Sequence, residues 1–419
     1  MKHIALILLL AYSYTTTAQI TQPIQPTTGP GGSQYTHGGV TQYDYGTNGS
    51  GGDFWLYEPN SPTPDSANVI VFIHGLGETN PKLYGAFIKH LVRKGNIVIY
   101  PRYQKDLNTN SNTFNDSCAY GIKRALDTIQ QAGHVKGHIQ NYFILGHSVG
   151  GVLTANMTML HAQYGLPKPL TAFSIQPGAA TYLMNDYSSF PADVKYLIAV
   201  GTEDIIVGTA PGNTLFNQTV NVPTSHKNLI TQYTDNHGNP SSDASHFAPL
   251  AADNDFDNGE TNLFIIASGS GPVDGVDFYC FWKLQDALMD CALRNENCEY
   301  AFGDTPEQHG MGNWSDGTPV RILEVTPSAA TEVKNIENLS TVSVSPNPSS
   351  SGTWQITLTG QNNGSIITVT DITGSVVYSN HMNSNKAIVS VQHPLKAMYI
   401  YTIQSSEGAV IKSGKLLTQ

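Results

Sequence analysis

Charged side chains are scarce in this sequence, and basic ones scarcer still: 13% of the 419 residues are charged, with 21 Lys and Arg against 32 Asp and Glu, for a formal net charge of −11. No Lys/Arg cluster could track a phosphate backbone, which points away from nucleic acid as a partner. Cysteine is limited to Cys118, Cys280, Cys291 and Cys298, with no CxxC or Cys/His spacing of the kind that holds a structural metal. Long apolar runs are missing as well. The run from Ile4 to Tyr12 is too short to cross a bilayer, and no later segment approaches the ~20 apolar residues a transmembrane helix needs. What is present is 40% hydrophobic residues, enough for a core of enzyme size, together with 39 Gly and 23 Pro, which favour strands, turns and loops over long helices. The length suggests two domains.

Lys2 and His3, the apolar run after them and the small polar residues up to Ala18 follow the order of a cleavable signal peptide, residues 1–18. The mature chain is then expected outside the cytoplasm, where disulfides persist. Cys291 with Cys298 is the favoured bridge because its loop is short and follows an apolar helical stretch, although four cysteines permit three pairings.

Residues 19–52, rich in Gly, Thr and Gln, show weak periodicity and end in a short strand, Asp53 to Tyr57. From Asn68 the pattern changes. NVIVFIHG is a continuous β-branched run, Tyr84 to Arg93 has helical spacing, and NIVIYP is apolar again, which together read as a parallel strand–helix–strand unit. The alternation continues through a helix at Cys118 to Gln131, strand YFIL (142–145), a helix at Gly151 to Gln163, and strands TAFSI (171–175), KYLIAVG (195–201) and NLITQYT (228–234). A helix from Asp277 to Arg294 carries a stripe suited to a sheet face. Residues 19–335 are thus expected to form an α/β domain, a mostly parallel central sheet flanked by helices, with a polar linker at 336–342. Short alternating segments from 343 to 419, separated by turn residues, predict a small all-β sandwich.

Gly146-His147-Ser148-Val149-Gly150 spells GxSxG directly after a strand and directly before a helix. A tight strand-to-helix turn forces the serine into a strained conformation and exposes its hydroxyl at the sheet edge, beside free N–H groups of the helix start. A serine hydroxyl needs a base and an acid, in the order Ser, Asp or Glu, His. Asp204, ending the strand KYLIAV, is preferred over Glu203, a solvated neighbour. For the base, His246 in SHFAP follows the last strand. His237, in the turn Asp235 to Gly238, competes with it, and His226 precedes the strand at the wrong edge. Leu76 N–H, in the loop His74-Gly75-Leu76-Gly77, and Val149 N–H form the expected oxyanion pair, with His74 bracing that loop. Trp55, Tyr103, Trp282 and Trp314 suit either a pocket wall or packing.

On the motifs HGLGETNPKLYGAFIKHLVRKGNIVIYPRYQ, GHSVGG, GTEDIIVG and SHFAP, residues 53 to about 325 resemble the α/β-hydrolase superfamily, closest to its dienelactone-hydrolase, chlorophyllase and polyester-hydrolase-like branches. The resemblance implies an α/β-hydrolase fold with a Ser148, Asp204, His246 triad that cleaves small or polymeric esters through an acyl-enzyme, without metal or organic cofactor. Residues 343–419 resemble the C-terminal sorting domain of the type IX secretion system, in Pro346-Asn347-Pro348, Asp371-Ile372-Thr373-Gly374 and Lys415-Leu416-Leu417. The glycine of that family's Leu-x-x-Gly-x-Tyr is absent from Leu395 to Tyr399, which leaves cleavage after export open. The secretion machinery is the partner this implies. An exported carboxylic-ester hydrolase is the leading expectation, and a secreted serine peptidase of the same fold or a non-catalytic surface-binding protein are the alternatives.

Overall fold

The computed structural model describes residues 19–46, 51–179, 183–260, 271–327, 342–358, 365–372, 375–382, 384–391, 398–404 and 410–418. The expected signal peptide, and the expected linker apart from Val342, lie outside the described residues. The chain divides into two compact units, residues 1–330 and 331–419.

The first unit is built on a nine-stranded sheet of β1 (Gly39–Asp44), β2 (Phe54–Asn60), β3 (Ser66–Ile73), β4 (Asn96–Pro101), β5 (Lys136–His147), β6 (Thr171–Ile175), β7 (Lys195–Gly201), β8 (Lys227–Gln232) and β9 (Glu324–Pro327). Their spatial order is β1-β2-β4-β3-β5-β6-β7-β8-β9. The six strands from β4 to β8 in that order run parallel, and β1, β2 and β9 pair antiparallel at the two margins. Because the side-chain period of a strand is two, the β-branched run of β3 buries Ile70 and Phe72 on one face and Val69, Val71 and Ile73 on the other.

Helices cover both faces. On one side lie α1 (Gly85–Arg93), through Phe87, Ile88, Leu91 and Val92, and later α6 (Trp282–Arg294). On the other lie α2 (Phe114–Thr128), α3 (Val149–Met159) and α5 (Ala210–Gln218), with the single turn α4 (His161–Tyr164) after α3. Strands NIVIYP, TAFSI and KYLIAVG fall at their expected residues. The edge strands β1 and β9 carry no such signal, the first because its half-exposed GVTQYD mixes polar and apolar residues, the second because it has four residues. The helix expected from Asp277 opens instead as a wider π turn over Asp277–Phe281 before α6 begins. Cys291 at the end of α6 is disulfide-bonded to Cys298, while Cys118 and Cys280 are free and buried, the Cys280 thiol being pushed up to about 12 by burial.

The second unit holds two antiparallel sheets, one of β10 (Val342–Ser345), β11 (Thr353–Leu358) and β14 (Lys386–Ser390), the other of β12 (Ser365–Thr370), β13 (Val376–Met382), β15 (Met398–Gln404) and β16 (Val410–Leu417). Trp354 and Ile356 from the first sheet and Ile367, Val369, Ile403 and Leu416 from the second share one apolar core.

Candidate active site

In an open parallel sheet, the loops beyond the C-terminal strand ends converge where the strand order reverses. Here the chain goes from β3 to β4 on one side and crosses back to β5 on the other. The loops after β3, β5, β7 and β8 meet on that edge and bring Gly75, Ser148, Asp204 and His246 together.

Ser148 stands between β5 and α3 with φ 56° and ψ −122°, a backbone region that L residues rarely occupy. The flanking glycines are a steric requirement of this bend. A Cβ on Gly146 would lie 2.4 Å from the carbonyl oxygen of Gly150, and one on Gly150 would lie 2.1 Å from that of Ile73. Ser148 Oγ is 2.9 Å from His246 Nε2, and His246 Nδ1 is 2.7 Å from Asp204 Oδ2. A carboxylate only accepts, so Nδ1 carries the proton and Nε2 is left to accept from the serine hydroxyl. The other carboxylate oxygen, Oδ1, accepts from the Ile206 and Val207 amides at 3.0 and 2.9 Å, which fixes the rotation of the carboxyl group. All three side chains are buried.

Burial opposes the Asp204 charge, but the hydrogen bonds from His246 and the two amides outweigh it and hold the carboxyl below its usual range. At His246 burial disfavours the imidazolium and the neighbouring His147 adds to this. Asp204 pulls the other way without restoring the balance, so the ring titrates below the ordinary histidine value. The Leu76 and Val149 amides, expected as an oxyanion pair, have no hydrogen-bond partner among the described residues, and both residues line the same cavity as Ser148 and His246. That cavity measures about 410 Å³ and is walled mainly by Leu76, Val149, Ala179, Val207, Pro211 and Phe247, with Glu78 as the acidic group at its wall.

The other sequence candidates go elsewhere. Glu203 is exposed. His237 pairs with Asp316 at 2.8 Å. His226, before β8, lies 3.4 Å from Lys195 Nζ. His74 braces its loop, with Nδ1 2.7 Å from the Gly75 carbonyl oxygen and its ring stacked on Tyr103, and burial lowers its titration to about 4, so it stays neutral. Trp55, Tyr103, Trp282 and Trp314 are all packing: each is buried and none walls the cavity. A second cleft, of about 360 Å³, is polar and lies around Asp286, Lys94 and Arg294, away from the serine.

Sequence reasoning passed over three groups beside the serine. Glu78 and Tyr84, from the loop after β3 and the turn before α1, and His147, the second residue of GxSxG, form a buried cluster against the His246 main chain. The acid in HGLGE was the available signal. Gln176 was also missed. It sits at φ 40° after β6 and donates from Nε2 to the Ser245 carbonyl oxygen at 2.8 Å, tethering the loop that carries His246.

In the second unit, Asn347 of the Pro-Asn-Pro turn donates to the Lys415 carbonyl oxygen and accepts from the Leu417 amide, both at 2.8 Å, closing the turn onto β16. Residues 343–416 match the family model described as the secretion system C-terminal sorting domain. This segment is a type IX sorting domain. It indicates export to the cell surface or the extracellular space and an interaction with the secretion machinery. Among the described residues no helix is long and apolar enough to cross a membrane. No curated protein matches the chain.

Proposed function

We propose that the first unit is an exported serine hydrolase of the α/β-hydrolase fold that cleaves carboxylic esters, with Ser148 as nucleophile, His246 as base and Asp204 as the group that orients it. One observation carries the reading: a serine hydroxyl on a strained strand-to-helix bend is in hydrogen-bond succession with an imidazole and a carboxylate from two other loops. Chain order Ser, Asp, His and a mainly apolar cavity at the hydroxyl support it.

In this mechanism His246 Nε2 takes the proton of Ser148 as Oγ attacks the ester carbonyl carbon. The Leu76 and Val149 amides receive the oxyanion. Collapse of the tetrahedral species breaks the bond to the alcohol, which leaves with the proton from His246 and makes an acyl-serine. Water, deprotonated by the same nitrogen, then releases the acid and restores the serine. No metal or organic cofactor enters the sequence.

The test uses a fluorophosphonate probe and p-nitrophenyl esters on the full chain beside Ser148→Ala. Labelling and ester turnover that both vanish in the variant are expected. Turnover of peptide anilides with none of the esters would transfer the site to peptide chemistry, and an unlabelled wild type would defeat the reading.

A further inference from the structure

The loops carrying Leu76, Ser148 and His246 are tied together by a buried group of side chains that the mechanism above does not use. Glu78 Oε2 accepts from the Gly75 amide at 3.0 Å, from the Tyr84 hydroxyl, and faces His147 Nδ1 at 3.4 Å. Tyr84 Oη lies 2.8 Å from that nitrogen and also accepts from the Gly75 amide at 3.2 Å. On the far side of the ring, His147 Nε2 is 2.9 Å from the carbonyl oxygen of His246. Glu78, Tyr84 and His147 are all buried.

Three protons are shared among these groups, and the contacts fit them either as an ion pair or, with Glu78 protonated toward Tyr84 and Tyr84 donating to His147 Nδ1, without charge; the Gly75 amide, which donates to Glu78 Oε2, favours the ion pair. A carbonyl oxygen only accepts, so His147 Nε2 carries a hydrogen. With Glu78 as the anion, the single hydroxyl proton of Tyr84 goes to it, leaving the phenol oxygen as an acceptor toward His147. Both neighbours of Nδ1 are then acceptors, so Nδ1 carries a hydrogen too. Burial opposes ionisation of Glu78, but the bonds from His147 and Tyr84 overcome it and hold the carboxyl below its usual range. The remaining titratable neighbours do not supply a competing charge. His74 is neutral, burial keeps the Tyr84, Tyr100 and Tyr103 phenols protonated, and Asp204 is engaged by His246.

We propose that Glu78, Tyr84 and His147 form a charge-paired clamp in which His147, protonated on both ring nitrogens, pins the main chain of His246 and cancels the negative charge of Glu78 beside it. Glu78 at the same time holds the Gly75 amide and so sets the turn that presents the Leu76 N–H. These are positioning residues, and the proposal rests on the hydrolase reading only for its kinetic arm. The two imidazole rings lie 4.7 Å apart between centroids, close enough for each charge to act on His246.

The kinetic arm follows from sign. His147→Gln leaves Glu78 as an uncompensated anion, which favours the imidazolium form of His246, so the acid limb of kcat/KM moves to higher pH. Activity at pH 5.5, relative to that variant's own alkaline plateau, falls by about tenfold beyond wild type. Glu78→Gln with His147→Gln removes both charges, and its acid limb returns to within about threefold of wild type at the same pH. A purely structural role leaves all normalised profiles superimposed. Unmoved profiles, or a shift of His147→Gln to lower pH, overturn the clamp. A second measurement is independent of activity. In the full chain labelled with 15N-histidine, a ring with both nitrogens protonated is expected at pH 7.5, missing from His147→Gln and lost in Glu78→Gln. A singly protonated His147 there overturns the proposal. Should the wild type neither react with fluorophosphonate nor turn over esters, the hydrolase reading fails, and the imidazole resonances still decide the pairing.

Discussion

Replacing Asp204 by Asn separates geometry from protonation at this site. The amides of Ile206 and Val207 both donate to Oδ1, so the asparagine oxygen must take that position. Turning the amide over would set its NH2 against two N–H donors and leave them unsatisfied, at about 1–3 kcal/mol each. The NH2 therefore faces His246 Nδ1, 2.7 Å from the present carboxylate oxygen. Nδ1 becomes the acceptor, the ring proton moves to Nε2, and the nitrogen that must accept from Ser148 no longer can. Loss of the correct tautomer in such a triad is worth on the order of 10⁴ in rate, roughly 5.5 kcal/mol of barrier. The assay is kcat/KM on a short-chain p-nitrophenyl ester together with the fluorophosphonate labelling rate, with a thermal melt showing that the fold survives. A folded variant within about tenfold of wild type would refute the reasoning, since the ring orientation would then not control the serine.

Two further outcomes are expected. Ser148 occupies φ 56°, which glycine adopts freely and L side chains only at a cost, so Ser148→Gly should be more stable than Ser148→Ala by about 1 kcal/mol in urea titration, and equal stabilities would mean that the bend is unstrained. Because burial keeps His246 below the ordinary value of 6.5, the acid half-point of kcat/KM should fall below pH 6.5 in a constant-ionic-strength series, whereas a half-point above it would contradict the buried site. The linkage has the same origin. Below about pH 6.5 the unfolded histidine takes up a proton that the folded one refuses, so the fold loses stability as pH falls through that range.

Much of this was legible in local pattern. The strand runs, the GxSxG bend and the acid and imidazole in the loops that follow all depend on periods of two and 3.6 and on where only glycine fits. Gly146 is obligatory because of a contact within one strand–turn–helix, with Gly150, whereas Gly150 is held small by the end of β3, through the Ile73 and His74 carbonyl oxygens; the spacing displays both glycines although only the first constraint is short-range. The seven short segments of the second unit are equally local, each one an alternating run between turn residues.

The sequence by itself thus determined most of the elements, the edge strands β1 and β9 excepted, their alternation and a short set of candidates at one sheet edge. Only the tertiary structure decided which imidazole meets Ser148, because His246 and His237 lie on the same connection after β8 and their fates depend on how that chain folds back. It goes toward Gln176 in one stretch and toward Asp316 and Trp314 in the other. The pairing of Glu78 and Tyr84 with His147 was likewise beyond reach, since the first two sit on the connection from β3 to α1 and the third ends β5, with no shared period. Pairing among them is set by the approach of β3, β5 and β8 in space, which no linear spacing records.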